Sequence, residues 1–547
     1  MTSAAETFDY VIVGAGAAGC VLANRLSEDG RHSVCLLESG PPDHNPFIHI
    51  PAGFIKVGYD PRYTWDFETE PSEGTSGRRV TTRLGRTLGG SSAINGFNYT
   101  RGTATDYDGW AAQGNPGWSY DEVLPYFQRT ERRIGGDGAP HRGYDGPLPI
   151  TDCDWRHPLC DGFIASANSL GIGPAGDYNQ GVQAGAGYYQ RWIHQGRRVS
   201  AATAFLRPAR DRANLRVMTH AHVAAIVFEG RRATGVKVLR AQGEAARVIA
   251  ARRDVVLCAG AINSPKLLQL SGVGPGEWLQ QWGVPTVHAL PGVGRRLQDH
   301  FMVRSVVRVQ GAPTINSTAR GWRLGIEIAK WALRRPSVLA ISPSVAYAFA
   351  GSRPDVQEAD LQFHFSPGSY ASGIAGKLDD FAGMTLGFYQ MRPQSHGTVQ
   401  LRTTDPLASP LIQPAYISQE DDRRTVIDGL RLARRILHAP ALQPYVERDE
   451  APPAQAISDA DLLAFARQRG GTAWHYMGSC RMGPATDSSA VVDAELRVHG
   501  LQGLRVADAS VMPAMPSGNT GAPTMMIAEK AADLILGRPA AIRVSPP

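Results

Sequence analysis

The stretch FDYVIVGAGAAGCVLANRL, residues 8–26, limits the fold of this chain more than any other. A short β-branched and aromatic run, Tyr10–Val13, leads into Gly14, Gly16 and Gly19, and the apolar spacing of Val21, Leu22, Ala23 and Leu26 after them is helical. Strand, GxGxxG and helix in that order make a nucleotide-binding turn. Its glycines allow a sharp reversal, close approach of backbone to a pyrophosphate, and tight packing of the helix on the strand. Ala17 and Ala18 then fall in the first helical turn, where unpaired N–H groups and the helix dipole favour a phosphate. The next strand, within HSVCLLESG, ends at Glu38, placed to accept hydrogen bonds from an adenosine ribose. The pattern predicts a Rossmann-like α/β domain and leaves NAD and FAD both open.

A chain of 547 residues exceeds what one core supports, so at least one further domain is expected. With 43% hydrophobic and 19% charged residues the chain reads as globular and not disordered. A net charge of +6 spread over scattered doublets, such as Arg434 and Arg435 on a helical face, does not make a nucleic-acid surface. The six cysteines (Cys20, Cys35, Cys153, Cys160, Cys258 and Cys480) show neither a CxxC pair nor metal-ligand spacing. No metal site is therefore expected, and a reducing cytoplasm fits best. Neither a signal sequence nor a membrane-length apolar run is evident, so the expectation is a soluble protein, with peripheral membrane association left open.

Two more glycine-rich stretches separate the nucleotides. GRTLGGSSAINGFNYTRGTATDYD, residues 85–108, offers backbone N–H and hydroxyl donors at Gly89, Gly90, Ser91 and Ser92, suited to an anion or a ring carbonyl. GAINSPKLLQLSGVG, residues 260–274, follows the apolar strand DVVLCAG. In this order and spacing the three stretches, with LRVADASVMPAMPSGNTGAPTMMIAEKAADLI at residues 504–535, resemble the glucose-methanol-choline (GMC) family of FAD-dependent oxidoreductases over essentially the whole chain. The resemblance implies FAD, held in a Rossmann-like domain beneath a β-sheet-based substrate domain. It implies that Gly14, Gly16 and Gly19 hold the diphosphate and Glu38 the ribose. Leu88, Gly89, Gly90, Ser91, Asn95 and Gly96 would run along the diphosphate and flavin, and Val223 would meet the adenine. Trp474, Asp508, Ala509, Asn519, Thr520 and Pro523 would approach the flavin. Some family members bind flavin covalently through a His just before the position of Asn95; here Ile94 stands there, with no nucleophilic atom, so dissociable FAD is expected.

His475, in GTAWHYMGSCRMG, matches the family's active-site His, and Asn519, in PSGNTGAP, its second catalytic position. A neutral imidazole accepts a proton at neutral pH, whereas an amide only positions. The implied reaction is oxidation of a small-molecule alcohol to an aldehyde or ketone, with His475 as base and hydride passing to flavin N5. Oxygen and a quinone or redox protein both stay open as electron acceptor, as do the alcohol and the oligomeric state. A hydroxynitrile lyase-like activity on the same fold is the alternative.

Segments 1–40, 84–107, 200–310 and 470–547 are expected to form the FAD domain, and 41–83, 108–199 and 311–469 the substrate domain. QEADLQFHFSPGSY and GMTLGFYQMRPQSHGTVQLR alternate as strands of a sheet over the flavin, with Phe363, Phe365, Tyr389 and Trp474 as aromatic pocket or core residues. PGVGRRLQDH, residues 291–300, is expected to be a turn without a catalytic part.

Overall fold

The computed structural model describes residues 6–543 other than 137, 175, 240–245 and 372–375. β1 (Glu6–Val13) and β2 (Val34–Leu37) lie parallel, joined by α1 (Ala17–Leu26). Tyr10–Val13 and all of β2 are buried, as continuous apolar strands must be when both faces of a sheet are covered. β1 pairs on its other side with Arg247–Leu257, and β2 with Leu215–Met218, both parallel. Arg247–Leu257 changes partners along its length. Its first half takes the antiparallel strand Arg232–Val238 and its last residues the parallel strand Leu504–Val506. That second pairing brings the end of the chain beside its beginning. α2 (Gly260–Leu270) leaves Arg247–Leu257 as α1 leaves β1, so two helices start at the carboxyl ends of adjacent parallel strands. The crevice between them is where open α/β sheets bind ligands. α3 (Gly521–Leu536) packs on α1, where Glu529 receives Arg25 at 2.9 Å and Arg129 at 2.7 Å.

A second sheet of seven strands, all antiparallel, is built around β3 (Phe301–Val309), β4 (Leu361–Ser366) and β5 (Gly383–Gln390). β4 and β5 fall inside the two segments read as strands from alternation. Phe301, Val303, Val307, Phe363, Phe365 and Phe388 turn to one side and form a core with the helix Glu420–Leu437. Phe363 and Phe365 are therefore core residues. The opposite face, carrying Met302, Arg304 and Val306 from β3, roofs the crevice of the first sheet. β3 and the short strand Gly471–Thr472 pair with each other in this second sheet. The chain crosses between the two sheets at Asp299–Phe301 and at Thr472–His475, and the functional side chains sit at those crossings. Among the described residues no helix is long and apolar enough to cross a membrane.

Candidate active site

A cavity of about 660 Å³ runs from the start of α1 to the roofing face of the second sheet. At one end lie Gly14, Gly16, Ala17, Ala18, Glu38, Val223, Asp508 and Ala509; further along are Gly90, Ser91, Asn95, Gly96 and Ile94; Trp474, His475, Asn519 and Thr520 close it. Four expected cofactor residues do not line it. Gly19 lies on the buried side of α1, against the carbonyl of Gly14. Leu88 packs on the core of the first domain, the Gly89 N–H donates to Ala15 O at 2.8 Å, and Pro523 is buried in the first turn of α3. These four shape the cradle from behind.

The nucleotide end has the donors and acceptors a dinucleotide needs. α1 begins at Gly16 with no side-chain cap and no acidic residue in its first turn, which leaves its first N–H groups for a ligand. Glu38, buried at the end of β2, is oriented by N–H groups of Ala15 at 3.0 Å and Gly40 at 2.8 Å, and burial lifts its carboxyl to about 7. Asp508 accepts from the Gly260 N–H at 2.8 Å and the Ser264 hydroxyl at 2.6 Å, tying α2 to the C-terminal segment. Arg198, fully buried over the Phe97 ring, donates to Asn95 O at 2.8 Å and holds the Gly85–Asn95 loop in place. An uncapped helix start beside a buried, oriented carboxylate fits FAD.

At the other end the hydrogen bonds select one tautomer of His475. His300 Nε2 lies 2.8 Å from the carbonyl of Met391, which can only accept, so that nitrogen carries the proton. A neutral His300 must then accept at Nδ1, which lies 2.9 Å from His475 Nδ1. His475 accordingly donates from Nδ1 and turns the lone pair of Nε2 into the cavity. There the Asn519 amide nitrogen donates to it at 3.1 Å, while Asn519 Oδ1 accepts from Thr100 at 3.2 Å. Burial and the neighbouring imidazoles of His300 and His364 hold His475 well below the usual histidine range, so the ring stays neutral. A neutral imidazole whose Nε2 lone pair faces the cavity, met there by a neutral amide that a substrate hydroxyl can replace, is a base.

Asp299 supports this arrangement. One of its oxygens accepts the His475 backbone N–H at 2.7 Å and the other the hydroxyls of Thr472 at 2.6 Å and Tyr416 at 2.5 Å. Trp474, between those anchors, adopts φ +62°, a left-handed conformation that costs a non-glycine residue on the order of 1 kcal/mol and that surrounding bonds must impose. Tyr389 stacks on His300 at 4.1 Å and meets His475 edge-on at 5.5 Å. Residues 291–300, expected to be a turn without a catalytic part, thus end in the two side chains that hold His475. The visible signal was an Asp-His pair directly before an alternating strand.

Burial keeps several rings neutral: His157, His222 and His300 are pressed down to about 4, His364 to about 3, and His475 lower than ordinary histidine. Because the folded values lie below the unfolded one, the unfolded chain takes up protons first as pH falls. His157, His222, His300 and His364 each then remove roughly 2 kcal/mol of stability by pH 5, and His475 acts in the same direction. Asp299 and Glu38, both raised to about 7 by burial, act in the opposite sense, since the folded state protonates them first between pH 7 and their unfolded range. With His194 and His288 also lowered and Asp106 also raised, seven rings stand against three carboxyls and leave a net loss. Urea midpoints measured between pH 7 and pH 5 should fall; a flat or rising profile would show that these rings are not buried as neutral groups.

The fold and this constellation define a flavin-dependent oxidoreductase acting on CH–OH donors. The family models agree: residues 8–302 and 393–528 match the two GMC oxidoreductase models. The chain is 37% identical over 530 residues to the alcohol dehydrogenase [acceptor] of Pseudomonas putida, covering 97% of this chain and 96% of that one. It is 40% identical over 534 residues to the oxygen-dependent choline dehydrogenase of Brucella anthropi, again covering 97% and 96%. Among solved structures, pyridoxine 4-oxidase from Mesorbium loti aligns with a TM-score of 0.85 at 33% identity, covering 96% of this chain and 98% of that one. Formate oxidase, at 24% identity and a TM-score of 0.90 over 98% and 99% of the two chains, shares the fold. The chain belongs to the GMC oxidoreductase family, and it is an FAD-dependent enzyme.

Proposed function

We propose that the chain oxidises a primary or secondary alcohol, with His475 Nε2 accepting the hydroxyl proton and Asn519 holding the same oxygen. When bound, FAD supplies the hydride acceptor for the carbinol carbon. The observation that carries this reading is the lone pair of His475 Nε2, fixed by the chain from Met391 O through His300. Asn519 Nδ2, already within 3.1 Å of Nε2, can donate to a substrate oxygen placed beside it. Asp299 sets the backbone from which His475 projects.

FAD would be held without a covalent bond, because Ile94 carries no nucleophile where it lines the cavity. Acid or denaturant should therefore release all the flavin into the supernatant; flavin remaining on the denatured chain would overturn this. The two sheets support a division into an FAD domain and a substrate domain, and the six buried cysteines support a reducing compartment such as the cytoplasm. The names of the relatives point to both kinds of electron acceptor. Reoxidation of the reduced enzyme by oxygen and by a quinone, followed side by side, assigns the acceptor here. The test of the reaction itself is anaerobic addition of alcohols: bleaching of the oxidised-flavin band is expected, and a lyase would leave it intact.

A further inference from the structure

We propose that the substrate of this enzyme is an alcohol that carries a carboxylate, and that Arg304 and His364 are the groups that receive it. This deepens the alcohol-oxidation reading and rests on it.

Several enclosed arginines of this protein are paired with carboxylates. Arg101 and Arg142 share Glu131, Arg191 meets Asp154, and Arg25 and Arg129 share Glu529. Arg198, which has no carboxylate, donates to carbonyls of the loop it supports. Arg304 differs. It lines the cavity from β3 with its side chain exposed there, nearby protein holds its pKa below the ordinary arginine value, and among the described residues it has neither an ion pair nor a hydrogen bond. A guanidinium that faces the cavity without a carboxylate partner is free to pair with a ligand that brings the anion.

A second group aims at the same space. His364, on β4, is only 6% exposed and lines the cavity. Its Nδ1 lies 2.9 Å from the Tyr189 hydroxyl, which receives the Gln362 amide at 2.8 Å and has the Phe363 carbonyl at 3.4 Å as its other acceptor. With the Tyr189 proton on the shorter contact, Nδ1 accepts and Nε2 carries the hydrogen. That Nε2 is buried and has no partner. In the sheet register Arg304 and His364 both stand opposite Gly387 on the strand between them. A Cβ at Gly387 would come within 3.4 Å of Arg304 Cγ, so its absence leaves a trough between two donors.

The charge pattern selects the ligand. The acidic residues lining the cavity are Glu38 and Asp508, both at the nucleotide end and both engaged by N–H groups. Among the described residues nothing acidic lines the roof where a cationic alcohol would need it. One guanidinium matches a monoanion, and its planar fork suits the two oxygens of a carboxylate. Arg304 lies four residues along the chain from His300, about 13 Å at the backbone. That span favours a carboxylate several atoms from the carbinol over a 2-hydroxy acid.

The test uses the FAD-loaded full chain and anaerobic flavin reduction by three alcohols: 4-(hydroxymethyl)benzoate, 4-methylbenzyl alcohol and choline. The second-order reduction rate should favour the carboxylate over its neutral counterpart by roughly 10- to 100-fold, with choline slowest. In Arg304→Gln that preference should collapse toward unity, and Arg304→Lys should restore part of it. His364→Phe should reduce it less. FAD content and melting temperature check that each variant is folded. As a binding readout, 4-methylbenzoate, which has no hydroxyl to oxidise, should raise the melting temperature of the parent and not that of Arg304→Gln. Equal rates for the first two alcohols in the parent, or a preference that survives Arg304→Gln, would overturn the proposal while leaving alcohol oxidation standing. If no alcohol bleaches the flavin but 4-methylbenzoate still binds through Arg304, the oxidation reading fails and the anion site remains.

Discussion

His475→Ala is expected to purify yellow, with FAD content equal to the parent, and to be reduced by alcohol roughly 10²–10⁴-fold more slowly, the usual worth of a positioned general base. In barrier terms that is about 3–5 kcal/mol. The expectation separates chemistry from folding because of where the side chain points. Its Nδ1 contacts His300, its Nε2 faces Asn519 across the cavity, and Asp299 grips the backbone N–H, which alanine keeps. Truncation removes the base without cutting the loop from its anchor. Asn519→Ala should be milder, about 10-fold, because one neutral hydrogen bond is lost while the lone pair stays in place. Rapid-mixing measurement of flavin reduction under anaerobic conditions distinguishes the two. A His475→Ala protein reduced as fast as the parent would remove the base from the scheme.

The first domain was legible because its signals are local. The turn at Gly14–Gly19, the strand ending in Glu38 and the helix Gly260–Leu270 each sit within a short window of sequence, and each lies at the crevice. His475 and Asn519 were legible only through the resemblance, since no period or spacing marks them. What escaped was the contact made at a distance. Asp299 and His300 reach His475 across about 175 positions of chain because β3 pairs with Gly471–Thr472, and nothing in a turn-rich decapeptide announces that pairing. Arg304 was hidden for a different reason. In FMVRSVVRV it occupies the polar phase of an alternating strand, which ordinarily means solvent, and here that face is the roof of a cavity.

Two of the glycines in the opening turn should fail in opposite ways when given side chains. At Gly19 an added Cβ would come within 1.9 Å of the Gly14 carbonyl oxygen, a backbone atom of the same turn. Helix and strand would have to separate, so Gly19→Ala should destabilise the fold itself, by about 1–3 kcal/mol or more. At Gly16 the backbone has φ −73° and ψ −163°, open to any residue, and the nearest atom to an added Cβ is Cys258 O at 3.9 Å. The chain tolerates a side chain there, apart from about 1 kcal/mol for a poor residue at the helix start. What it loses is the close approach of backbone to the diphosphate. Two displaced charge-assisted hydrogen bonds, at about 1.5–3 kcal/mol each, correspond to roughly 10²–10⁴-fold weaker FAD binding. Gly16→Val is therefore expected as a colourless protein whose circular dichroism matches the parent after its flavin is stripped, and Gly19→Ala as one with a lowered urea midpoint even without flavin. If Gly16→Val retained stoichiometric FAD, the start of α1 would not be where the diphosphate sits, and the orientation of the cofactor along the cavity toward His475 would have to be reversed or abandoned.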